Sequence, residues 1–169
     1  MPFINGLEKE QVSAEAKEVY EEFIEKTGSV PEWVKVMAYR PEILKNFVSL
    51  FRAIMMQGTV ENLLKWKIAY LVSETLKCPF CVDVTTKMMK KLGASEETIR
   101  EVLELSEAED KTVFSLVKDV TLDGHLDNPE LFEELQKHFT NPQVIEIISV
   151  MGLFNYINRF NNTLAIIPD

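Results

Sequence analysis

The sequence predicts an all-α protein, a single-domain helical bundle that covers residues 1–169. Apolar residues recur every three or four positions in successive segments, which is the spacing of an amphipathic helix. No segment of useful length alternates apolar and polar residues as a strand does. Serine, proline and glycine occur between the apolar segments, at positions typical of helix ends. We find no low-complexity linker that would divide the chain.

The first predicted helices follow from these end signals. Ser13 is suited to cap a helix that ends at Gly28, with apolar residues on one face. Pro31 and Pro41 each stand where the first turn of a further helix would begin, since proline is tolerated there. The apolar stripe of the first helix is Ala16, Val19, Tyr20, Phe23 and Ile24.

The middle of the chain predicts a longer helix, then the segment that contains the two cysteines. Thr59 is predicted to cap a helix that continues to about Leu76. Gly93 is predicted to end the helix after the cysteines, and Ser95 to begin the next one. The predicted inner face of the longer helix consists of Leu64, Ile68, Leu71 and Val72.

Two helices are predicted after an Asn-Pro pair, at residues 128–129 and 141–142. In both, we place the proline at the first helical position. The second helix is apolar on nearly every side between residues 144 and 160. A helix of this kind must be covered all round, so we expect it at the centre of the subunit, at a subunit interface, or both. We therefore predict a homo-oligomer; burial within a monomer is the alternative.

Composition and charge exclude several classes of function. Hydrophobic residues make up 46% of the chain, and 27 acidic against 18 basic residues give a net charge of -9. This balance argues against nucleic acid and anionic membrane surfaces as partners. The start of the sequence lacks the features of a signal peptide, and no apolar run reaches the length of a membrane span. We expect a cytoplasmic protein, in which a disulfide is more often catalytic or sensing than structural.

The two cysteines, Cys78 and Cys81, flank a Pro-Phe pair in the segment LKCPFC. The residue before a proline is disfavoured in a helix, and proline suits the first helical position. Cys78 should therefore cap a helix, with Cys81 as its third residue. Both sulfurs would then lie near the positive end of the helix, which favours thiolate. The spacing also allows a disulfide if the backbone brings the residues close enough.

Two other interpretations of the cysteines remain open. A structural zinc site needs four ligands, and the chain offers one cysteine pair with His125 and His138 distant in sequence. We therefore predict no metal and no cofactor. Free cysteines are also commonly buried as small apolar residues, which is the second alternative. The two histidines are predicted at a loop and near a helix end, without a catalytic role.

The segment LLKWKIAYLVSETLKCPFCVDVTTKMMKKLGAS and the later VIEIISVMGLFNYINRFNNTLAIIPD together resemble the alkylhydroperoxidase D / carboxymuconolactone decarboxylase family, in its peroxidase-related branch. The resemblance covers roughly residues 30–169. It implies an all-α subunit that assembles into dimers, trimers or hexamers. Asn158 and Arg159 fall in the matching late segment, and we assign them only hydrogen bonding between helices or subunits.

The resemblance also implies a mechanism. Cys81 would attack a peroxide, Cys78 would resolve the sulfenic acid to a disulfide, and a dithiol reductant or adaptor protein would restore the pair. The family activates its thiol with a histidine and a glutamate, here called the proton relay. At the corresponding positions this sequence has Thr85 and Trp66, neither of which can act as a general base. Activation should then depend mainly on the helix start.

Three charged residues close to the cysteines are candidate auxiliary groups. Glu74 and Asp83 could approach the sulfurs, but a nearby anion raises a thiol pKa and solvated carboxylates are the simpler interpretation. Lys77 would lower a thiol pKa, although it too could be surface charge only.

Three functions therefore remain open. The first is a thiol-disulfide oxidoreductase, weakly active on small-molecule peroxides. The second is a catalytically degenerate oligomeric binding or scaffold protein of the same family. The third is a cofactor-free decarboxylase, against which the presence of the cysteine pair counts.

Overall fold

The computed structural model describes residues 2–106 and 110–168, and within these ranges the chain folds into nine α-helices and a short 3-10 turn. The predicted all-α class is confirmed, and the residues form one helical bundle. None of the described helices combines the length and apolarity needed to cross a bilayer. The helices are α1 (Ala14–Thr27), α2 (Glu32–Met37), α3 (Pro41–Met55), α4 (Asn62–Thr75), α5 (Pro79–Lys91), α6 (Glu96–Glu104), α7 (Lys111–Asp123), α8 (Pro129–His138) and α9 (Asn141–Thr163).

Several helix ends lie where the sequence places them. The Ser13 hydroxyl accepts a hydrogen bond from the backbone N–H of Ala16, and the Ser95 hydroxyl accepts one from Thr98. Gly28 ends α1 with a φ of 80°, in the left-handed region where glycine carries no steric penalty. These signals are local, so they are readable without knowledge of the tertiary fold.

Other ends differ from the prediction by one residue, and one helix was not predicted. Pro31 is the N-cap of α2, not its first residue. α9 begins at Asn141 because Thr140 caps it in a reciprocal capping box with Gln143, which moves Pro142 to the second helical position. The helix α7 has no counterpart among the predicted elements, although Gly124 ends it with a φ of 80°.

The centre of the bundle is α4, which packs against α5, α7 and α9. Every residue from 64 to 73 is buried, not only the four predicted for its inner face. α9 also lies centrally, with nine buried residues along its length. The central position expected for the apolar late helix is confirmed. α4 and α9 thereby form the support on which the cysteine-bearing turn rests.

Two of the buried residues of α4 are lysines, and one of them is deeply enclosed. Lys65 is 2% exposed, and its ammonium group lies 3.1 Å from a carboxylate oxygen of Glu146 on α9. It also donates hydrogen bonds to the backbone carbonyls of Ile54 and Gln57. A buried ammonium group requires such partners, because an unpaired charge in the protein interior is unstable.

The carboxylate of Glu146 in turn organises the loop before α4. It accepts hydrogen bonds from the backbone N–H groups of Thr59 at 2.9 Å and Val60 at 3.0 Å. The prediction that Thr59 caps α4 is wrong, because Glu61 is the N-cap residue. Burial raises the pKa of Glu146, but these N–H groups and Lys65 lower it more, so its net pKa lies below the ordinary value.

An apolar groove, the α3/α9 groove, is open on the surface between α3 and α9. Ile43 and Leu50 of α3 line it together with Phe47, Leu153 and Tyr156. Leu50 is 52% exposed and Tyr156 is 46% exposed, which is unusual for neighbouring large apolar residues. A second copy of the chain would remove this surface from water.

We expect the native protein to sediment at a multiple of the 19.4 kDa subunit mass. Leu50→Glu should shift it toward the monomer, because the added carboxylate would have to be buried in the interface. Leu122→Glu is the matched control, since Leu122 is 60% exposed but lies outside the groove. A wild-type monomer at micromolar concentration would contradict the predicted assembly.

Candidate functional site

The turn between α4 and α5 carries both cysteines. Lys77 adopts a φ of 53°, a left-handed conformation that reverses the chain immediately before Cys78. Cys78 is the N-cap residue of α5, Pro79 its first residue and Cys81 its third, as the sequence predicts. The Cys78 sulfur accepts a hydrogen bond from the backbone N–H of Cys81 at 3.4 Å. Both sulfurs are thus held at the start of the helix.

The two sulfur atoms lie 2.7 Å apart, close enough to share a proton. The hydrogen bond from Cys81 lowers the pKa of the Cys78 thiol; burial opposes this, and the backbone N–H groups of Cys81 and Phe80 lower it further. The same hydrogen bond, with burial, raises the pKa of the Cys81 thiol. The pair is therefore suited to hold one proton and one negative charge.

We expect the reduced protein to form its first thiolate below the ordinary thiol pKa and to keep the second proton far above it. Ultraviolet absorbance of the thiolate, followed against pH, measures both steps. Cys81→Ala removes the principal cause of the shift, so it should raise the pKa of Cys78. Two thiols that titrate together at the ordinary value would contradict the shared proton.

Three asparagines near the end of α9 hold the cysteine-bearing turn in place. Asn158 donates a hydrogen bond to the Ser73 hydroxyl at 3.3 Å, and Asn162 donates to the Leu76 carbonyl at 2.9 Å. Asn161, between them, donates from its amide nitrogen to the second cysteine sulfur at 3.3 Å. The end of α9 thus fixes the turn and supplies a hydrogen bond that favours a thiolate.

A cavity of about 250 Å³ lies beside Cys81. Cys81 and Asn161 line it, whereas Cys78 does not. Its wall is otherwise almost entirely apolar and includes Trp33, Phe47, Phe51, Trp66, Phe80 and Phe154. Cys81 is therefore the sulfur that a bound molecule would meet.

Trp66 and Thr85, which the resemblance predicts at the relay positions, both lie close to this site. Trp66 forms part of the cavity wall and packs against Phe51 and, edge to face, against Phe154 at a centroid distance of 6.0 Å. Thr85 is fully buried. Its hydroxyl donates to the carbonyl of Cys81 at 2.7 Å, so it is bonded to the backbone and not to a sulfur.

The three charged candidates do not contact the sulfurs. Asp83 forms an ion pair with Lys87 on the surface of α5, at 2.7 Å. Glu74 lies beside Tyr70, where burial and this carboxylate raise the pKa of the tyrosine to about 12. Lys77 is exposed and makes no ion pair among the described residues. The simpler interpretation of these groups as solvated charge fits their positions.

His125, His138 and Arg159 form their hydrogen bonds with residues other than the cysteines. His125 is exposed and lies 2.8 Å from Asp127, and the hydrogen bond that its ring donates to the Asp123 backbone carbonyl is the main cause that raises its pKa. His138 lies 3.2 Å from Glu134 at the end of α8. Arg159 bonds to its own helix at Asn155. The expected intersubunit role of Arg159 stays a prediction.

Asn161 is the site residue that the sequence analysis missed. It follows Asn158, Ile157 and Phe154 at spacings of three, four and seven, so it lies on the buried face of α9. A polar residue repeated on an otherwise apolar face is a detectable signal, because buried amides need partners. In the part of the chain that is described, no three metal-ligating side chains come together.

Comparison with known proteins identifies relatives of the same architecture. Residues 41–112 match the Carboxymuconolactone decarboxylase family. The protein YdfG of Bacillus subtilis (strain 168) is 24% identical over 111 residues, which are 62% of this chain and 76% of YdfG. The segment matched by the family, residues 41–112, includes the turn with both cysteines.

Solved structures agree over nearly the whole chain. A peroxidase-related protein with an alkylhydroperoxidase AhpD core from Ralstonia eutropha JMP134 superposes with a TM-score of 0.88 at 20% identity, covering 99% of this chain and 92% of its own. The debrominase Bmp8, in complex with 2,3,4-tribromopyrrole, has a TM-score of 0.82 at 19% identity, covering 98% and 90%. The chain therefore has the fold of these AhpD-like structures.

Proposed function

We propose that Cys78 and Cys81 form a redox-active dithiol that reduces small-molecule peroxides, with weakened activity. The observation that carries this proposal is the 2.7 Å separation of two sulfurs at a helix start, with only Cys81 on a cavity. A sulfur that faces the cavity and a second one behind it correspond to an attacking thiol and a resolving thiol. The likeness to a peroxidase-related protein supports peroxides as the substrates.

In the proposed reaction, the Cys81 sulfur attacks the terminal oxygen of the peroxide and the O–O bond breaks. Cys78 accepts the Cys81 proton across the short hydrogen bond as the attack proceeds. The alkoxide leaves and takes up a proton, so Cys81 becomes a sulfenic acid. Cys78 then attacks that sulfur and releases water, which leaves a disulfide. A dithiol reductant or an adaptor protein returns two electrons and two protons to restore the pair.

The proposed activity is weak because, among the described residues, the sulfurs have no histidine or carboxylate beside them, so Cys78 is the one group that accepts the Cys81 proton. Thr85, which we propose replaces the relay histidine, bonds to a backbone carbonyl. Trp66, at the relay glutamate position, packs among aromatic rings. Activation is then left to the helix start, the Asn161 amide and the shared proton.

The test is peroxide-driven oxidation of the purified reduced protein, followed by mass spectrometry. Wild type should lose two hydrogens on forming the disulfide, Cys78→Ser should accumulate a sulfenic acid at Cys81, and Cys81→Ser should not react at that position. A dithiol reductant should restore the wild type. Oxidation that is the same in wild type and Cys81→Ser would overturn the proposal.

The alternative is a catalytically degenerate oligomeric binding or scaffold protein. Burial of both sulfurs favours it, since Cys78 is 0% and Cys81 4% exposed. Thiol titration of the native protein separates the two functions. Thiols that react only after denaturation, and never bridge, would favour the scaffold function. A cofactor-free decarboxylase is the less favoured third candidate, because it leaves the paired sulfurs without a role.

A further inference from the structure

We infer that the cavity beside Cys81 binds an uncharged monocyclic aromatic group that carries one hydrogen-bond donor, as a phenol does, with the amide oxygen of Asn161 as the acceptor. In the proposed function this group would be the organic part of the peroxide substrate, and in that respect the inference rests on the proposed function. The binding itself depends only on the cavity and on Asn161.

The size and wall of the cavity favour one aromatic ring. A cavity of about 150 Å³ is known to hold benzene, so about 250 Å³ accommodates one substituted ring and little more. Trp33 and Phe47 meet edge to face at 5.5 Å, and Trp66 and Phe154 do so at 6.0 Å. These rings offer faces and edges to a further ring, an arrangement that aromatic groups prefer.

The cavity also selects against charge. The side chains that line it, all within the described part of the chain, include no acidic or basic group. A charged ligand would lose its hydration there without gaining a partner. An uncharged ligand is therefore expected.

Asn161 provides the polar contact. It is fully buried and lines the cavity, and its amide nitrogen donates to the Cys81 sulfur. Its amide oxygen has no hydrogen-bond partner among the described residues. Buried carbonyl oxygens are rarely left unpaired, so this acceptor suits a ligand O–H or N–H, which would reach the buried oxygen through a small shift of the cavity wall. One amide would then hold the ligand donor at one end and the reacting sulfur at the other.

Ligand-observed fluorine NMR on the full-length protein tests the inference. The probes are para-fluorophenol, para-fluorotoluene, which lacks the donor, and para-fluorobenzoate, which is charged. Since a hydrogen bond contributes roughly as much as a tenfold change in affinity, para-fluorophenol should bind about tenfold more tightly than para-fluorotoluene. Para-fluorobenzoate should bind least. Equal affinity for the phenol and the toluene would overturn the inference.

Two variants test whether Asn161 causes the preference for para-fluorophenol over para-fluorotoluene. Asn161→Leu should abolish the difference between phenol and toluene. Asn158→Leu is the matched control, because Asn158 is also fully buried on α9 with an unpaired amide oxygen but does not line the cavity. The preference should survive in this control. A preference that persists in folded Asn161→Leu would overturn the inference.

A third variant tests the cavity itself, and keeps the inference falsifiable if Asn161→Leu does not fold. Val84→Phe should fill the space beside Cys81 and remove binding of all probes. The chain's two tryptophans, Trp33 and Trp66, both line the cavity, so probe binding should change their emission. Binding that survives Val84→Phe or leaves the emission unchanged would contradict the proposed location.

The inference and the proposed function can fail separately. Probe binding is repeated in Cys81→Ser, which cannot carry out the redox step. A phenol preference without peroxide-driven disulfide formation overturns the proposed function alone. Disulfide formation without a phenol preference overturns the inference alone.

Discussion

Glu146→Ala is expected to lower the free energy of unfolding by about 3–5 kcal/mol, because it leaves the Lys65 ammonium group buried without its counterion. The carboxylate also accepts two backbone N–H groups of the loop before α4, which would lose their acceptor. Denaturant unfolding followed by circular dichroism measures the change. A loss below about 1 kcal/mol would show that the pair contributes no more than a surface ion pair.

Two controls separate charge from hydrogen bonding at this position. Glu146→Gln keeps an acceptor oxygen and should cost less than Glu146→Ala. Glu134→Ala should change stability little, since this carboxylate lies on the surface of α8 with Lys137 and His138.

The stabilisation by Glu146 should also depend on pH. The folded state lowers the pKa of Glu146, so its contribution is complete above the unfolded value, about 4.3. It is lost as the pH falls through the lower, folded pKa. The difference in stability between wild type and Glu146→Gln should therefore narrow in acid.

The sequence predicts those parts of the fold that depend on neighbouring residues. Ser13 and Ser95 cap helices because a hydroxyl reaches an N–H three residues later, which is a local event. Thr59 was wrongly predicted because its loop is held by Glu146, which is 87 residues away. Glu146 accepts the N–H groups of Thr59 and Val60 and holds both residues in the loop, so the helix begins later than the local capping signal indicates.

In the candidate site, too, the features set by neighbouring residues were predictable and those set by distant contacts were not. The helix start at Cys78 follows from Pro79, so the positions of both sulfurs were predictable. The cavity was not predictable, because six helices, α1 to α5 and α9, contribute to its wall. Asn161 reaches Cys81 across 80 residues of sequence. Such contacts depend on how helices pack, for which one sequence holds no direct signal.

The second prediction with a large effect concerns the proposed loss of the proton relay. Thr85→His should raise the rate of peroxide-driven oxidation of the cysteine pair by about 10²-fold, the lower end of what a positioned general base contributes. Residue 85 follows Cys81 by one helical turn, so its side chain lies on the same face of α5 and leans toward the cysteine. An imidazole there can take the thiol proton that the threonine hydroxyl cannot.

The measurement is the rate constant for disulfide formation against pH, in protein shown by circular dichroism to be folded. Thr85→His should add an ionisation near the ordinary histidine pKa, about 6.5, below which the gain is lost. Thr86→His is the matched control, since it places the same imidazole about 100° around the helix. Trp66→Glu is less suitable, because removing this packed indole costs on the order of 3–5 kcal/mol.

If folded Thr85→His is no faster than Thr86→His while Cys81→Ser still blocks oxidation, position 85 does not serve the thiol. If Cys81→Ser changes neither rate, the pair is not a peroxidase centre, and the scaffold function takes its place.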